Sequence, residues 1–104
     1  MFIKLSWFIS DILLKLNFKG HLFLRRKLAT FLCGKPPLEK ITLDLKKNIK
    51  ININPGKNKG PELSIFRYGV YEAGTIDVLH HLLKEGDILY DIGANIGYLS
   101  ILSA

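Results

Sequence analysis

The sequence has little of what metal sites and disulfides require. Its 104 residues include one cysteine, Cys33, and three histidines. A single cysteine can form neither an internal disulfide nor a set of thiolate ligands, which predicts a reducing, cytoplasmic setting. Its apolar neighbours favour a buried small side chain at Cys33 over a reactive thiol. His80 and His81 are adjacent, so on a helix they point about 100° apart and are not expected to share a metal ion.

Long apolar runs are also absent from the N-terminal third. Lys4, Asp11 and Lys15 interrupt each window of the ~20 apolar residues that a membrane-spanning helix needs. Asp11 also breaks the apolar region that a secretory signal requires, and no small-residue cleavage pattern follows it. We therefore expect this part of the chain neither to span a membrane nor to act as a secretory signal.

Two short, basic, amphipathic helices are predicted in residues 1–37. Apolar residues recur at helical spacing at Leu5, Phe8, Ile9, Ile12, Leu13 and Leu16. A second apolar stretch, residues 22–32, is closed by Gly34. Both helices could pack against a sheet. Aromatic residues beside lysines also fit a helix that lies in the headgroup region of a membrane. Residues of these two kinds are Phe2, Trp7, Phe8, Phe18, Lys4, Lys15 and Lys19.

Acidic residues are scarce in the first 60 positions. Residues 1–34 contain six basic residues against Asp11, and residues 35–60 contain seven against two acids. Residues 61–104 contain two basic and six acidic residues. The basic excess could meet anionic lipid, which leaves peripheral membrane contact through the N-terminal helices as an open alternative. Nucleic acid is not an expected partner, because no RNA-binding signature accompanies the charge.

The middle of the chain predicts a small antiparallel β-meander followed by a helix. Residues 41–45 and 49–53 alternate apolar with polar side chains, as half-buried strands do. Lys46, Lys47 and Asn48 would form the turn between them. A longer turn over residues 54–61 leads to a third predicted strand over residues 63–68. Thr75 is then a candidate N-cap for a helix through Leu83 that stops at Gly86.

The most informative segment is the run from Asp91 to Gly97. The aliphatic residues of segment 87–92 predict a strand that is buried on both faces, as in a parallel sheet. Gly93 and Gly97 can take backbone angles closed to other residues, and they let main-chain N–H groups approach a ligand. Residues 96–104 then read as the first turns of a helix. Strand, glycine turn and helix together predict a cofactor loop.

The spacing of the glycines bears on which cofactor this loop would hold. A dinucleotide loop has glycine at its first, third and sixth positions, which here are Gly93, Asn95 and Tyr98. Two of the three positions fail. Loops that bind S-adenosylmethionine have an acid two residues before the first glycine and glycines at alternate positions. Asp91, Gly93 and Gly97 fit that pattern, and only Asn95 in the middle place departs from it.

Three stretches of the chain resemble the start of an FkbM-type S-adenosylmethionine-dependent methyltransferase domain. They are Tyr71-Glu72, Leu82-Leu83-Lys84-Glu85-Gly86-Asp87 and Asp91-Ile92-Gly93-Ala94-Asn95-Ile96-Gly97-Tyr98. In that family an asparagine in the middle of the loop is usual. The resemblance covers the last third of the chain, extends weakly back through residues 41–66 and says little about the first forty residues.

The resemblance implies roles for six residues. Gly93, Ala94, Asn95 and Gly97 would pass along the methionine part of S-adenosylmethionine, and Asp91 would orient the loop or contact the cofactor. Glu72 could reach the cofactor's amino group, although an exposed glutamate at a helix start is the simpler interpretation. The expected chemistry is methyl transfer, to an oxygen by preference, on a small-molecule or glycan acceptor. No catalytic residue can be assigned.

The expected architecture is an incomplete Rossmann-like α/β domain over residues 38–104, behind a helical extension over residues 1–37. The family's acidic residue for the ribose hydroxyls would lie about 20 residues beyond the loop, and the loop lies seven residues before Ala104. We therefore expect an N-terminal fragment whose own catalysis is doubtful. The rival interpretation is a non-catalytic remnant that binds a membrane surface or a partner.

Overall fold

The computed structural model describes residues 2–45, 48–57 and 59–104, which form an α/β fold. Its helices are α1 (Ile3–Leu16), α2 (His21–Cys33), α3 (Pro61–Tyr68), α4 (Ala73–Leu82) and α5 (Tyr98–Ser103). Its strands are β1 (Ile41–Asp44) and β2 (Lys50–Ile53), which pair as a two-stranded antiparallel sheet. Across the described ranges, none of the helices has the length and apolarity to cross a bilayer.

Contacts divide the chain into two units. The first contains residues 1–43 and 52–71, and the second contains residues 44–51 and 72–104. In the first unit α1 packs on α2, and α3 packs on both. In the second unit α4 packs on α5. The N-terminal helices therefore share a unit with α3. The division into an extension over residues 1–37 and a domain over residues 38–104 stays a prediction.

The predicted N-terminal helices are present, but of the predicted apolar residues of α1 only Leu13 is buried. The buried residues of α1 are Ser6, Ser10 and Leu13, one helical turn apart. The Ser6 hydroxyl donates a 2.7 Å hydrogen bond to the carbonyl of Arg67, so this buried hydroxyl is paired. The start of α1 is tied to the end of α2, because the Phe2 N–H donates to the Leu32 carbonyl at 2.9 Å. The described contacts of α1 are thus with α2 and α3 rather than with the sheet of β1 and β2.

The first two predicted strands are confirmed by β1 and β2. Their alternation has the expected result, since Leu43, Ile51 and Ile53 are buried while Thr42 and Asn52 are exposed. The Thr42 hydroxyl donates to the Asn52 side-chain oxygen at 2.7 Å on the exposed face. In the connecting turn Asn48 has a left-handed backbone with φ of 59°. The predicted turn residues Lys46 and Lys47 lie outside the described residues.

The third predicted strand is wrong, because residues 63–68 lie in helix α3. Pro61 stands at the helix start, where its missing N–H is harmless, and Gly69 ends the helix with φ of 72°. Glu62, Ile65 and Phe66 are buried at helical spacing. The Glu62 carboxylate accepts a hydrogen bond from the Asn54 N–H. The predicted three-stranded meander is therefore a two-stranded hairpin followed by a helix.

The predicted strand over residues 87–92 is also wrong in this structure. The described residues in this segment have no assigned strand, and Ile88, Tyr90 and Ile92 are 79%, 83% and 96% exposed. The physical reason is that a strand needs neighbours to satisfy its backbone groups, and the described sheet contains only β1 and β2. The expected burial on both faces fails for the same reason.

Candidate functional site

The candidate site begins with a tight turn that follows α4. The N–H of Asp87 donates to the carbonyl of Lys84 at 3.0 Å, and the N–H of Lys84 donates to the Asp87 carboxylate at 2.8 Å. Gly86, inside this turn, has φ of 93°, which glycine adopts without a steric penalty. The predicted stop after α4 is thus present, although the helix itself ends at Leu82.

The predicted loop, residues 91–97, has left-handed backbone at three alternate positions. Gly93 has φ of 77°, Asn95 has φ of 53° and Gly97 has φ of 73°. Asparagine is the non-glycine residue that most readily joins glycine in this region of backbone space, because its short polar side chain can bond locally. Asn95, the one departure from the three-glycine pattern, therefore still has the left-handed backbone that a glycine would allow at this position.

The space around the loop backbone is open. A Cβ atom added at Gly93 or at Gly97 would meet no other atom within 4 Å. Gly93, Ala94 and Asn95 are exposed, and Gly97 is half-buried. The Gly97 N–H donates to the Ala94 carbonyl at 2.8 Å, which closes the second half of the loop into a turn. The first half leaves its main chain accessible to a ligand.

Asp91 holds the start of the loop to α5. Its carboxylate accepts a hydrogen bond from the Ser100 hydroxyl at 2.5 Å, and Asp91 is half-buried. This bond fits the orienting role expected of Asp91, although the donor is a side chain rather than a backbone N–H. Sequence reasoning missed Ser100. The sequence indicates Ser100 only as a hydroxyl residue in the first turn of the helix that follows the loop.

The far end of the loop continues into α5, which is anchored in its own unit. Tyr98, the first residue of α5, is buried. The ring Nε2–H of His80, on α4, donates to the carbonyl of Leu102 at 2.9 Å. The Nδ1 of His81 lies 2.7 Å from the carbonyl of Asp77 instead. Across the described ranges, no group of three histidine, cysteine or acidic side chains is placed to hold a metal ion.

Glu72 lies at the start of α4 rather than in the loop. It is the N-cap residue of α4, is exposed, and makes no side-chain capping bond. Its φ of 51° is left-handed, which is unfavourable for a glutamate. Thr75, the predicted N-cap, is wrong, because α4 already begins at Ala73. Of the six predicted site residues, the structure gathers the five in the loop and leaves Glu72 on a separate element.

Comparisons with known proteins found no match for this chain, whether among protein-family models, curated proteins or solved structures. Any functional inference therefore depends on the residues and geometry described above.

Proposed function

We propose that residues 38–104 are the N-terminal part of an FkbM-like, S-adenosylmethionine-dependent methyltransferase domain of Rossmann-like type. The observation that carries the proposal is the left-handed backbone at Gly93, Asn95 and Gly97. These are the alternate positions at which loops of this kind have glycine, and the residue that is not glycine is the one best suited to replace it. A cytoplasmic location belongs to the same proposal, and the free thiol of Cys33 is compatible with it.

The loop residues fit the methionine part of the cofactor. Main-chain N–H groups of a glycine loop can bind a carboxylate only where no side chain stands in the way. The positions of Gly93 and Gly97 meet this requirement, since no atom lies within 4 Å of either missing Cβ. In the proposed site Gly93, Ala94, Asn95 and Gly97 hold the methionine part, and Asp91 fixes the loop through Ser100.

Segment 87–92 is largely exposed, whereas the proposed domain would have a buried strand there. Ile88, Tyr90 and Ile92 are apolar or aromatic and almost fully exposed. In a doubly wound domain the strand before the cofactor loop is covered by neighbouring strands and by helices on both faces. The described sheet contains only β1 and β2, so the proposal expects a strand in this segment only where such neighbours cover it.

The chemistry proposed for the whole domain is methyl transfer to an oxygen of a small-molecule or glycan acceptor. S-adenosylmethionine supplies an electrophilic methyl group on a sulfonium. The contribution of this chain is to bind and orient, because an in-line displacement depends mainly on the positioning of the two reactants. Glu72 is the weaker part of the proposal, as a second contact to the cofactor from the start of α4.

Isothermal titration calorimetry with S-adenosylmethionine tests the proposal. We expect binding heat from the wild-type chain and none from Gly93→Val, because a β-branched residue is strained at φ of 77°. Gly74→Ala is the matched control, since Gly74 lies in α4 and nothing surrounds its missing Cβ. Equal heat from all three chains would remove the loop assignment, and no heat from the wild type would contradict the choice of cofactor.

A further inference from the structure

Helix α1 leaves most of its large apolar residues exposed. It buries Ser6, Ser10 and Leu13 on one side and exposes large apolar residues on another. The exposed residues on one side of the helix, which we call the α1 stripe, are Leu5, Phe8, Ile12 and Leu16. Phe8 and Leu16 are 65% and 63% exposed. An apolar surface that runs over about three turns of a helix is typical of a site that a membrane or another molecule covers.

Basic residues lie beside the α1 stripe. Lys4 and Lys15 are exposed on the same helix, at positions that follow the edge of the stripe. The acid of α1, Asp11, is already matched by Lys15, whose Nζ lies 2.9 Å from its carboxylate. The interhelical connection adds Lys19, which is exposed. Because Lys15 and Asp11 offset each other, the net positive charge beside the stripe comes from Lys4 and Lys19.

Helix α2 presents a surface of the same type. Phe23 and Phe31 lie eight residues apart on one side of α2, and both are exposed, Phe31 to 82%. Lys27 is exposed between them on the same side, while Leu22 and Arg26 are exposed outside this line. The side of α2 that is packed carries Ala29 and Cys33, both buried.

We propose that the α1–α2 hairpin docks on a membrane surface that contains anionic lipid. Both helices place aromatic or aliphatic side chains beside lysine and arginine, which is the pattern of a helix lying at the headgroup boundary. The 14 residues of α1 span about 21 Å, which is less than the ~30 Å hydrocarbon core, so the helix lies along the surface. This inference does not depend on the cofactor proposal.

A lipid surface suits this face better than a second copy of the chain does. In a symmetric dimer the same patch meets itself, so exposed basic residues such as Lys4, Lys19 and Lys27 would lie near those of the second copy. Lysine is depleted in the cores of protein interfaces because its charge is costly to desolvate. Against anionic headgroups the same lysines extend into the polar region while their aliphatic stems cover apolar surface.

Co-sedimentation of the 104-residue chain with vesicles tests the proposal. Phosphatidylcholine vesicles that contain phosphatidylserine should pellet the chain, and high salt should release it. The double variant Phe8→Ser, Leu16→Ser should bind at least about tenfold more weakly, since each side chain loses its transfer from water. Leu82→Ser is the matched control, because Leu82 is 68% exposed on α4, outside the hairpin. Its binding should equal that of the wild type.

A fluorescence measurement gives the orientation of α1. Trp7 is the single tryptophan, and its Nε1 donates to the Phe66 carbonyl at 3.0 Å, on the packed side of α1. Anionic vesicles should therefore change the emission of the wild type little, whereas Phe8→Trp should gain a blue-shifted component. A shift of Trp7 with no added shift in Phe8→Trp would overturn the proposed orientation.

Three results would overturn the proposal as a whole. Equal binding to neutral and anionic vesicles would remove the role of the basic residues. Binding of Phe8→Ser, Leu16→Ser at the wild-type level would remove the role of the stripe. Failure to bind anionic vesicles would remove the membrane role, and a dimer in sedimentation velocity that the double variant abolishes would then assign the surface to a second copy.

Discussion

The carboxylate of Asp91 accepts a 2.5 Å hydrogen bond from the hydroxyl of Ser100, the third residue of α5. This bond joins the first residue of the loop to the helix after it. Gly97 and Ala94 close the second half of the loop by a backbone bond of 2.8 Å. The loop is therefore held at both of its ends, while its middle residues remain exposed.

We predict that Ser100→Ala weakens the binding of S-adenosylmethionine without unfolding the chain. A hydrogen bond to a charged group contributes about 1.5–3 kcal/mol, and part of that free energy positions the loop, so we expect an affinity loss of about tenfold. Calorimetry measures the affinity, and circular dichroism checks the fold.

The control for this prediction is Ser103→Ala. The Ser103 hydroxyl donates to the carbonyl of Leu99 within its own helix at 2.7 Å and makes no bond to the loop. Its loss should leave the affinity unchanged. Equal affinities for Ser100→Ala, Ser103→Ala and the wild type would show that the Asp91–Ser100 bond does not position a binding loop.

A second prediction concerns Gly69, which ends α3 beside the indole of Trp7. Its φ is 72°, and an added Cβ would overlap the Trp7 ring. We expect Gly69→Ala to lower the free energy of unfolding by about 3 kcal/mol, since it combines left-handed strain with overpacking. Urea denaturation measures the change.

The variant Gly20→Ala separates the backbone strain from the overpacking, which Gly69→Ala combines. Gly20 has φ of 87°, but a Cβ there would meet nothing within 4 Å. This variant carries only the backbone strain, which is about 1 kcal/mol. Equal destabilisation by the two substitutions would mean that Trp7 does not pack against Gly69.

A third prediction is a pH dependence of stability that arises from Cys33. Burial raises the pKa of this thiol, and its hydrogen bond with Ser6 lowers the pKa by a smaller amount. Because the folded-state pKa exceeds the unfolded value of about 8.5, the thiol's contribution is complete below pH ~8.5 and falls as the pH rises toward the folded-state pKa.

The measurement is the difference in unfolding free energy between the wild type and Cys33→Ala, taken at neutral pH and above pH ~8.5. The wild-type advantage from packing at neutral pH should shrink at the higher pH, since only the wild type has this thiol to ionise. Other titrating groups are common to both chains and cancel. A difference that stays constant with pH would contradict the burial of the thiol.

Local patterns in the sequence located most elements of the fold. The alternation in residues 41–45 and 49–53 predicted β1 and β2, and helical spacing predicted α1, α2 and the region of α4. The strand predicted over residues 63–68 is wrong, although Ile65 and the aromatic side chains of this segment are typical of strands. Pro61 and Gly69 are the stronger signals, because they mark the start and the end of helix α3.

Which face of a helix is covered could not be predicted from periodicity alone. A helix is predicted by the spacing of Leu5, Phe8, Ile9, Ile12, Leu13 and Leu16. Of these only Leu13 is buried, on the same side as Ser6 and Ser10. Tertiary contacts to α2 and α3 decide this choice. The strand over residues 87–92 failed for a related reason, since pairing depends on neighbours that local sequence does not contain. The loop conformation was predictable because it depends on the backbone freedom of glycine and asparagine.

The most direct test of the central claim is a calorimetric comparison of two substitutions at Asn95 in titrations with S-adenosylmethionine. If the left-handed backbone at this position forms the cofactor loop, Asn95→Gly should bind as the wild type does, because glycine keeps φ near 53°. Asn95→Val should lose binding, because a β-branched residue disfavours that conformation. Equal binding by Asn95→Val and Asn95→Gly, or no binding by the wild type and Asn95→Gly, would contradict the claim.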